Sequence, residues 1–321
     1  MIKYALRKKE LLSAIAFTAT CGACYYFRET IEHKINSIYV RAGIAGALTN
    51  TAVEILLYHI DTINMLSKVE PIKDSTVIKT GLRKKIKTGV TLTKLLARYF
   101  QGLHYVNIFY TPCFFGYYVI YYRVSERLEK SGKMSVLTAN ILAAAISEFI
   151  FITFFYPFEL IKTRKQVATP SEANKISLLR FFSLKGNLRQ SILTNLRELY
   201  VGSFQFLLTY VIYIGIEFGI YKFFMNLYHN NENKKISYHT AIICSAVISA
   251  VIGSILTNPF EVWTVIRQVK KQELTFLGLL KQPKLWWKGL LWRTSHNTAI
   301  SCMLFIGLEY SFKFLGINFS S

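Results

Sequence analysis

Acidic and basic side chains gathered where long apolar segments end are the residues of this chain best suited to chemistry. The most complete group is the stretch from Tyr156 to Gln166 (YPFELIKTRKQ), which follows the apolar run 140–156. Glu159 and Lys162 stand three residues apart in it, so they share one face of a helix. A charge this close to a membrane needs a partner or a polar cavity, which makes the stretch a candidate functional site.

Two further stretches match this one in register, and each of the three is called a foot below. They are residues 58–68 (YHIDTINMLSK) and 258–268 (NPFEVWTVIRQ). The acids that correspond are Asp61, Glu159 and Glu261, and the proline position holds His59, Pro157 and Pro259. A proline inside a helix removes a backbone donor and bends the helix. A unit of about 100 residues is therefore repeated three times.

A glycine follows each foot at a corresponding place, two residues after an aromatic side chain. The three glycines are Gly102, Gly202 and Gly289, and each is predicted to open another apolar helix, at about 103–122, 203–228 and 290–316. Six spanning helices in three hairpins follow. Residues 64–101 hold nine Lys and Arg against two acids, whereas the turn 126–133 is nearly balanced. This asymmetry places the feet on the cytoplasmic or matrix-equivalent side.

Composition indicates a polytopic helical membrane protein. Of the 321 residues, 52% are hydrophobic and 15% aromatic, far from the balance of an ordinary soluble domain. The net charge of +21 would suggest nucleic acid in a soluble protein. Here the bases lie between apolar segments, so they indicate topology and an anionic lipid partner, with no nucleic acid.

No catalytic or metal-binding motif is present in the sequence. It lacks a Gly-rich phosphate loop, an H-E-x-x-H pair and a serine nucleophile elbow. Cys21 and Cys24 form a C-x-x-C, but no His or second Cys pair completes a zinc site. We therefore expect no enzyme, no catalytic residue, no metal and no cofactor other than lipid.

The N-terminal residues leave two interpretations open. Met1 to Glu10 is basic and leads into the mainly apolar run from Leu11 to Phe27. This arrangement is typical of a targeting segment, and equally of a membrane-associated helix kept in the mature protein. Glu10 and the lack of a small-residue cleavage site favour retention.

The motif Pro157-x-Glu159-x-x-Lys162-x-Arg164-x-Gln166, in three copies that each lead to an aromatic residue and a glycine, resembles the mitochondrial carrier family over about residues 37–316. The resemblance implies an all-α membrane protein with six transmembrane helices in three repeats around a pseudo-threefold axis and short matrix-side helices. We assign 1–36 to an N-terminal hydrophobic extension and 37–133, 134–235 and 236–321 to the repeats. The third repeat has a shortened matrix loop, since 30 residues separate Pro259 from Gly289 against 45 from Pro157 to Gly202.

The resemblance also implies a location and a lipid. It predicts a multi-pass protein of the mitochondrial inner membrane. Cardiolipin is expected at the helix N-termini near Gly102, Gly202 and Gly289, with Lys288 beside the third.

In such carriers the acids of the three feet pair with bases of neighbouring feet and close the matrix side. Here the base positions hold Asn64, Lys162 and Thr264, so a single base is in register. Two carboxylates are then expected to lack a partner, and the ring is not expected to close, because an uncompensated charge in low dielectric is costly. The glutamines that brace such a gate remain as Gln166 and Gln268, with Lys68 in the first place. A second possibility is that nearby bases out of register neutralise the ring without gating it: Lys68, Arg164, Lys165 and Arg267.

The opposite gate and the substrate positions also depart from the family pattern. Tyr122, Lys222 and Glu309 occupy the acid positions of the second gate, and Phe312 stands where a base should follow Glu309. Phe109, Thr209 and His296 occupy the positions from which carriers contact their substrate. With no Arg or Lys there, a phosphate or carboxylate substrate would lack its charge-assisted anchor.

Polar residues inside the helices suggest a cavity. Glu54 lies seven residues before Asp61 and Glu148 eleven before Glu159, so each pair shares a helix face. Arg293 and His296, near the start of the last helix, are placed to meet them. The cluster is either a site for a small cation or polar solute, or a proton relay, or a relic whose groups pair with one another or with water. The damaged gates favour the relic.

Two functions from different classes follow. One is a solute carrier that works by alternating access around a central site. The other is a carrier fold retained as a structural accessory subunit of a respiratory-chain assembly in the inner membrane, such as cytochrome c oxidase or a supercomplex. The incomplete gates, the N-terminal extension and the many aromatic side chains, which suit helix docking, favour the accessory subunit.

Overall fold

The computed structural model describes residues 15, 17–23, 25–26, 35, 37–69, 98–173, 175–176, 188–230, 237–270 and 274–317. Over these ranges the chain is helical and contains no strand. The longer helices are α1 (Ile38–Val69), α2 (Thr111–Lys130), α3 (Val136–Val167), α4 (Leu188–Leu199), α5 (Ser203–Asn230), α6 (Tyr238–Lys270) and α7 (Leu290–Phe314). A short helix and one π-helical turn precede α2, at Leu103–Tyr105 and Val106–Tyr110.

Within the described ranges, four helical stretches are long and apolar enough to cross a membrane. They are Ile38–Val69, Thr138–Val167, Thr194–Tyr228 and Tyr238–Val269. The protein is therefore a helical membrane protein with several spans. The helices α2 and α7 are not among these four, so the predicted set of six spans is met in part.

Six of the helices pack into a closed ring. Going round it, α1 contacts α2, α2 contacts α3, α3 contacts α5, α5 contacts α6, α6 contacts α7, and α7 returns to α1. Small residues make the close approaches: Gly46 of α1 faces the Tyr118 ring, and Gly307 of α7 faces Thr49. Without a hydrophobic drive between helices in lipid, such close packing is what holds them together.

The segments that join the feet to the next helices differ in length. The second connection contains the twelve-residue α4, whereas the third contains two helices of five and four residues, Phe276–Leu280 and Pro283–Trp286. The third connection thus has the short helices expected of a reduced loop. Most of the basic first connection, residues 70–97, lies outside the described residues.

The described part of the N-terminal extension is helical and lies against the bundle. The Tyr25 ring stacks on Phe314 of α7 with 5.6 Å between ring centroids. Between this segment, α1 and α7 runs a largely apolar groove of about 730 Å³, lined by Cys21, Leu48 and Met303 among others. Retention of the extension in the mature protein stays a prediction.

Candidate functional site

The three feet converge at one end of the ring, since they form the C-terminal parts of α1, α3 and α6. Asp61 and Glu159 are buried there, and Glu261 is half-buried. Both α3 and α6 continue as helices through Pro157 and Pro259. Three carboxylates are therefore brought close together by the packing of three separate helices, as the repeat pattern predicts.

Lys162 lies between two of these carboxylates. Its Nζ atom is 2.9 Å from Asp61 Oδ2 on α1 and 3.6 Å from Glu159 Oε2 one turn earlier on α3. The same ammonium lies 5.2 Å from the centroid of the Tyr110 ring, within cation–π range. The Tyr110 hydroxyl donates a hydrogen bond to Glu159. Lys162 thus links α1 to α3 and compensates two acids at once.

Glu261 has two cationic partners, although the base position of α1 holds the uncharged Asn64. Lys68 Nζ lies 2.7 Å from Glu261 Oε1, and Arg293 Nε lies 2.5 Å from Oε2. Asn64 Nδ2 also donates to Oε1, at 3.3 Å. The prediction that two of the three carboxylates lack a partner is therefore wrong.

The reason for this correction is the reach of long side chains. Lys68 follows Asn64 by four residues, so it lies one turn further along the same face of α1. Arg293 stands in the first turn of α7, a helix that carries no foot, and its Nη2 also donates to Thr257 Oγ1 at 2.6 Å. We call the six charged residues the gate cluster: Asp61, Glu159, Glu261, Lys68, Lys162 and Arg293.

One link of a complete ring is replaced by an uncharged contact. Thr264, at the base position of α6, lies with its hydroxyl 3.2 Å from that of Thr209 on α5. The ion-pair partner of Glu159 is accordingly Lys162 of its own helix. Between α3 and α6, Arg164 Nε donates to the Gln268 carbonyl at 2.9 Å. The gate cluster thus joins α1 to α3 and α1 to α6, whereas α3 and α6 are joined by uncharged acceptors, the Gln268 carbonyl and the Tyr156 hydroxyl.

The residues at the glutamine positions act differently from one another. Gln166 Nε2 donates to Asp61 Oδ2 at 2.8 Å, the same oxygen that pairs with Lys162. Gln268 Nε2 donates instead to the Tyr156 hydroxyl at 3.3 Å. Lys68, in the first position, is fully buried and pairs with Glu261. Gln166 therefore holds Asp61 by a hydrogen bond, and Lys68 holds Glu261 by an ion pair.

The three predicted substrate positions do not meet as one group. The Phe109 ring stacks on Phe158 of α3, with 3.9 Å between centroids, and is packed between helices. Thr209 is buried against Thr264. His296 is buried beside the gate cluster, within the electrostatic reach of Asp61, Lys162 and Glu261.

The acids predicted inside the helices are placed apart from the base predicted to meet them. Arg293 binds Glu261, not Glu54 or Glu148. Glu54 lies within the electrostatic reach of Lys162, and its Oε2 atom is buried without a hydrogen-bond partner. A third acid, Glu217 of α5, escaped sequence analysis because it matches no repeat position; it accepts a hydrogen bond from Ser301 of α7.

At the other end of the ring, aromatic packing stands where the second gate was expected. Tyr122 meets Phe312 edge to face, with 5.7 Å between centroids. Both pack against a small core of Ala42, Ala45, Leu315 and Ile317. The side chains of Lys222 and Glu309 lie outside the described residues.

A threefold set of hydrogen bonds ties each foot to the glycine that follows it. The residue before each proline position donates to the carbonyl of the residue before each glycine: Tyr58 to Gln101, Tyr156 to Val201 and Asn258 to Lys288. Sequence comparison of the feet already aligned the donors, but only the fold shows what they bind. The three glycines all have positive φ, at 99°, 86° and 72°.

Each glycine also packs against a basic side chain of the next foot round the ring. Gly102 lies against Lys165, Gly202 against Arg267, and Gly289 against Lys68. The last contact closes the cycle from the third repeat to the first. The predicted cardiolipin positions at these glycines and at Lys288 stay predictions.

We expect Gly102→Ala to destabilise the protein more than Gly132→Ala does. Both glycines have positive φ, which costs an L-residue about 1–2 kcal/mol. A Cβ at Gly102 would lie 2.9 Å from the Tyr58 hydroxyl, whereas one at Gly132 meets nothing within 4 Å. Thermal unfolding of the two variants in detergent measures the difference. Equal losses would show that the Gly102 contact carries no stability.

The family model described as mitochondrial carrier protein matches residues 134–232, which include α3, α4 and α5. A search of curated proteins finds no significant match. The resemblance drawn from the foot motif is confirmed over these residues, which are similar to the mitochondrial carrier family. Proteins of this family are transporters, not enzymes. With its apolar helices, the chain is similar to multi-pass mitochondrial carriers.

Proposed function

We propose that this mitochondrial carrier-like membrane protein is a working solute carrier of the inner membrane, with six spans in three repeats, that moves a small polar solute by alternating access. The observation that carries the proposal is the gate cluster, in which each foot carboxylate has a cationic partner. Ion pairs between helices that can part and re-form are what a gate requires.

The cost of burying these charges supports a role beyond stability. Removing two charges from water costs several kcal/mol per ion, and a buried pair is often no more stabilising than apolar residues of the same shape. Intramembrane charges that pair with one another are typical of transport pathways. The gate cluster therefore fits a device that opens and closes better than it fits a static support.

An exchange assay that assumes no particular substrate tests the proposal. Liposomes containing the purified chain are loaded with a mixture of amines, amino acids, carboxylates and nucleotides, and solutes lost on exchange are identified by mass spectrometry. We expect saturable loss of at least one class, absent from protein-free liposomes and from liposomes containing Lys162→Ala. Release equal to that of protein-free liposomes for every class would contradict transport.

One observation favours an accessory subunit as the second candidate. The link between α3 and α6 lacks the acid–base pair at its family position, since Thr264 bonds to Thr209. If the chain is a structural subunit of a respiratory-chain assembly, it should migrate wholly with a larger complex in mild detergent and exchange no solute. A carrier should migrate largely as a free protein with bound lipid.

A further inference from the structure

The gate cluster is balanced in charge by itself. Its three acids and three bases are matched through ion pairs of 2.5–3.6 Å, with Lys162 held by Asp61 and Glu159 and with Lys68 and Arg293 held by Glu261. Any further acid beside the cluster therefore meets only bases that are already paired with another carboxylate.

Glu54 is such an acid. It lies on α1 within the electrostatic reach of Lys162, Asp61 and Glu159. Lys162 is already held by its two carboxylates, and Glu54 Oε2 is buried without any hydrogen-bond partner. An uncompensated carboxylate is costly in a low-dielectric interior. A positively charged ligand from outside the protein would therefore stabilise the Glu54 carboxylate.

His296 gives an independent indication near two of the same charged residues, Asp61 and Lys162. Its side chain is only 6% exposed, and its Nε2 atom is buried without a hydrogen-bond partner. Asp61, Lys162 and Glu261 surround it electrostatically. Buried polar atoms in native proteins nearly always have a partner, and this nitrogen and Glu54 Oε2 share Asp61 and Lys162 as charged neighbours, so one ligand that bonds to both would satisfy them.

We propose that Glu54 and His296 bind the positively charged group of the transported solute, a primary ammonium or a guanidinium. This inference rests on the proposed function. Such groups offer several N–H donors, enough for a carboxylate oxygen and a neutral imidazole nitrogen together. Phe109, Thr209 and His296 supply no Arg or Lys that would attract an anion.

Ligand-dependent thermal stability tests the proposal without requiring transport. The full chain in detergent is heated with putrescine, agmatine, butanediol or succinate, where putrescine, butanediol and succinate share a carbon chain length and differ in charge. We expect putrescine or agmatine to raise the unfolding midpoint, with no shift from the neutral or anionic probe, because binding to the native state stabilises it. A shift with succinate and none with either amine would overturn the proposal.

Variants assign the effect to the named residues. Glu54→Gln should raise the amine concentration needed for half the shift by at least about thirtyfold, as expected when a buried charge pair loses one partner. His296→Gln, which keeps a polar side chain, should weaken it to a smaller degree, and Glu126→Gln, on an exposed surface pair, should leave it unchanged. Undiminished binding by both Glu54→Gln and His296→Gln would contradict the site.

Two outcomes separate this inference from the proposed function. Amine binding lost in Glu54→Gln but without any solute exchange would sustain the site and refute the carrier. Exchange of solutes without any amine effect would support the carrier and refute the amine site. A wild-type midpoint that follows pH, lost in Glu54→Gln and indifferent to amines, would show that the charge is a proton and overturn the ligand.

Discussion

Lys162→Ala is expected to abolish solute exchange and to lower stability more than any other single substitution in the gate cluster. Its ammonium compensates Asp61 at 2.9 Å and Glu159 at 3.6 Å, and all three side chains are buried. Removing one partner of a buried pair leaves uncompensated charge and costs ~3–5 kcal/mol. The loss should appear as a lower unfolding midpoint in detergent and as exchange no faster than in protein-free liposomes.

Two controls make this prediction specific. Lys130→Ala removes the base of an exposed pair with Glu126, which solvent screens, and should leave both measurements unchanged. Asp61→Asn combined with Lys162→Met removes charge from both partners and should recover part of the stability, without recovering exchange. Full exchange by Lys162→Ala would refute the role of Lys162 in the gate, while transport itself would stand.

The second large effect is expected when Glu261 loses both of its bases. Lys68→Ala and Arg293→Ala should each be milder than Lys162→Ala, because the other base still compensates the carboxylate. The double variant leaves Glu261 with the Asn64 amide alone and should lose more stability than the two single variants together. Such non-additivity is typical of residues that share one network, with coupling of about 0.5–3 kcal/mol.

Unfolding midpoints of wild type, the two single variants and the double variant give this coupling directly. Glu261→Gln supplies the matched background, since without the carboxylate the same two substitutions should become additive. Additive losses in the wild-type background would mean that Lys68 and Arg293 do not act on one acid. Exchange rates measured on the same set would show whether the link from α1 to α6 is needed for gating.

The repeat pattern was enough to locate the site but not its contacts. Register among the feet identified Asp61, Glu159, Glu261 and Lys162, and the structure brings all four together. The same register led to the wrong conclusion that two of the three carboxylates lack a partner, although Lys68 stood out as a nearby base. Strict alignment counts only the residue at the expected position, whereas a lysine one turn away and an arginine on a neighbouring helix reach the same carboxylate.

Other residues also align by sequence while their contacts are visible only in the structure. Tyr58, Tyr156 and Asn258 align in the sequence, yet nothing there indicates that they bind the carbonyls before the glycines. Phe109 stands at a substrate position by count, but packing against Phe158 places it between helices. Glu217 was missed because it has no counterpart in the other repeats, and only contact with α7 reveals it.

The sequence by itself determined that the chain is a helical membrane protein with apolar spans and a resemblance to mitochondrial carriers, because these depend on local hydrophobicity, charge and spacing along the chain. Only the tertiary structure decided which base compensates which acid. That choice depends on distances between side chains of different helices, and long flexible cations such as Lys68 and Arg293 can cross a turn or a helix boundary to reach Glu261. The foot from Tyr156 to Gln166 is thus one part of a charge network completed by residues outside its own pattern.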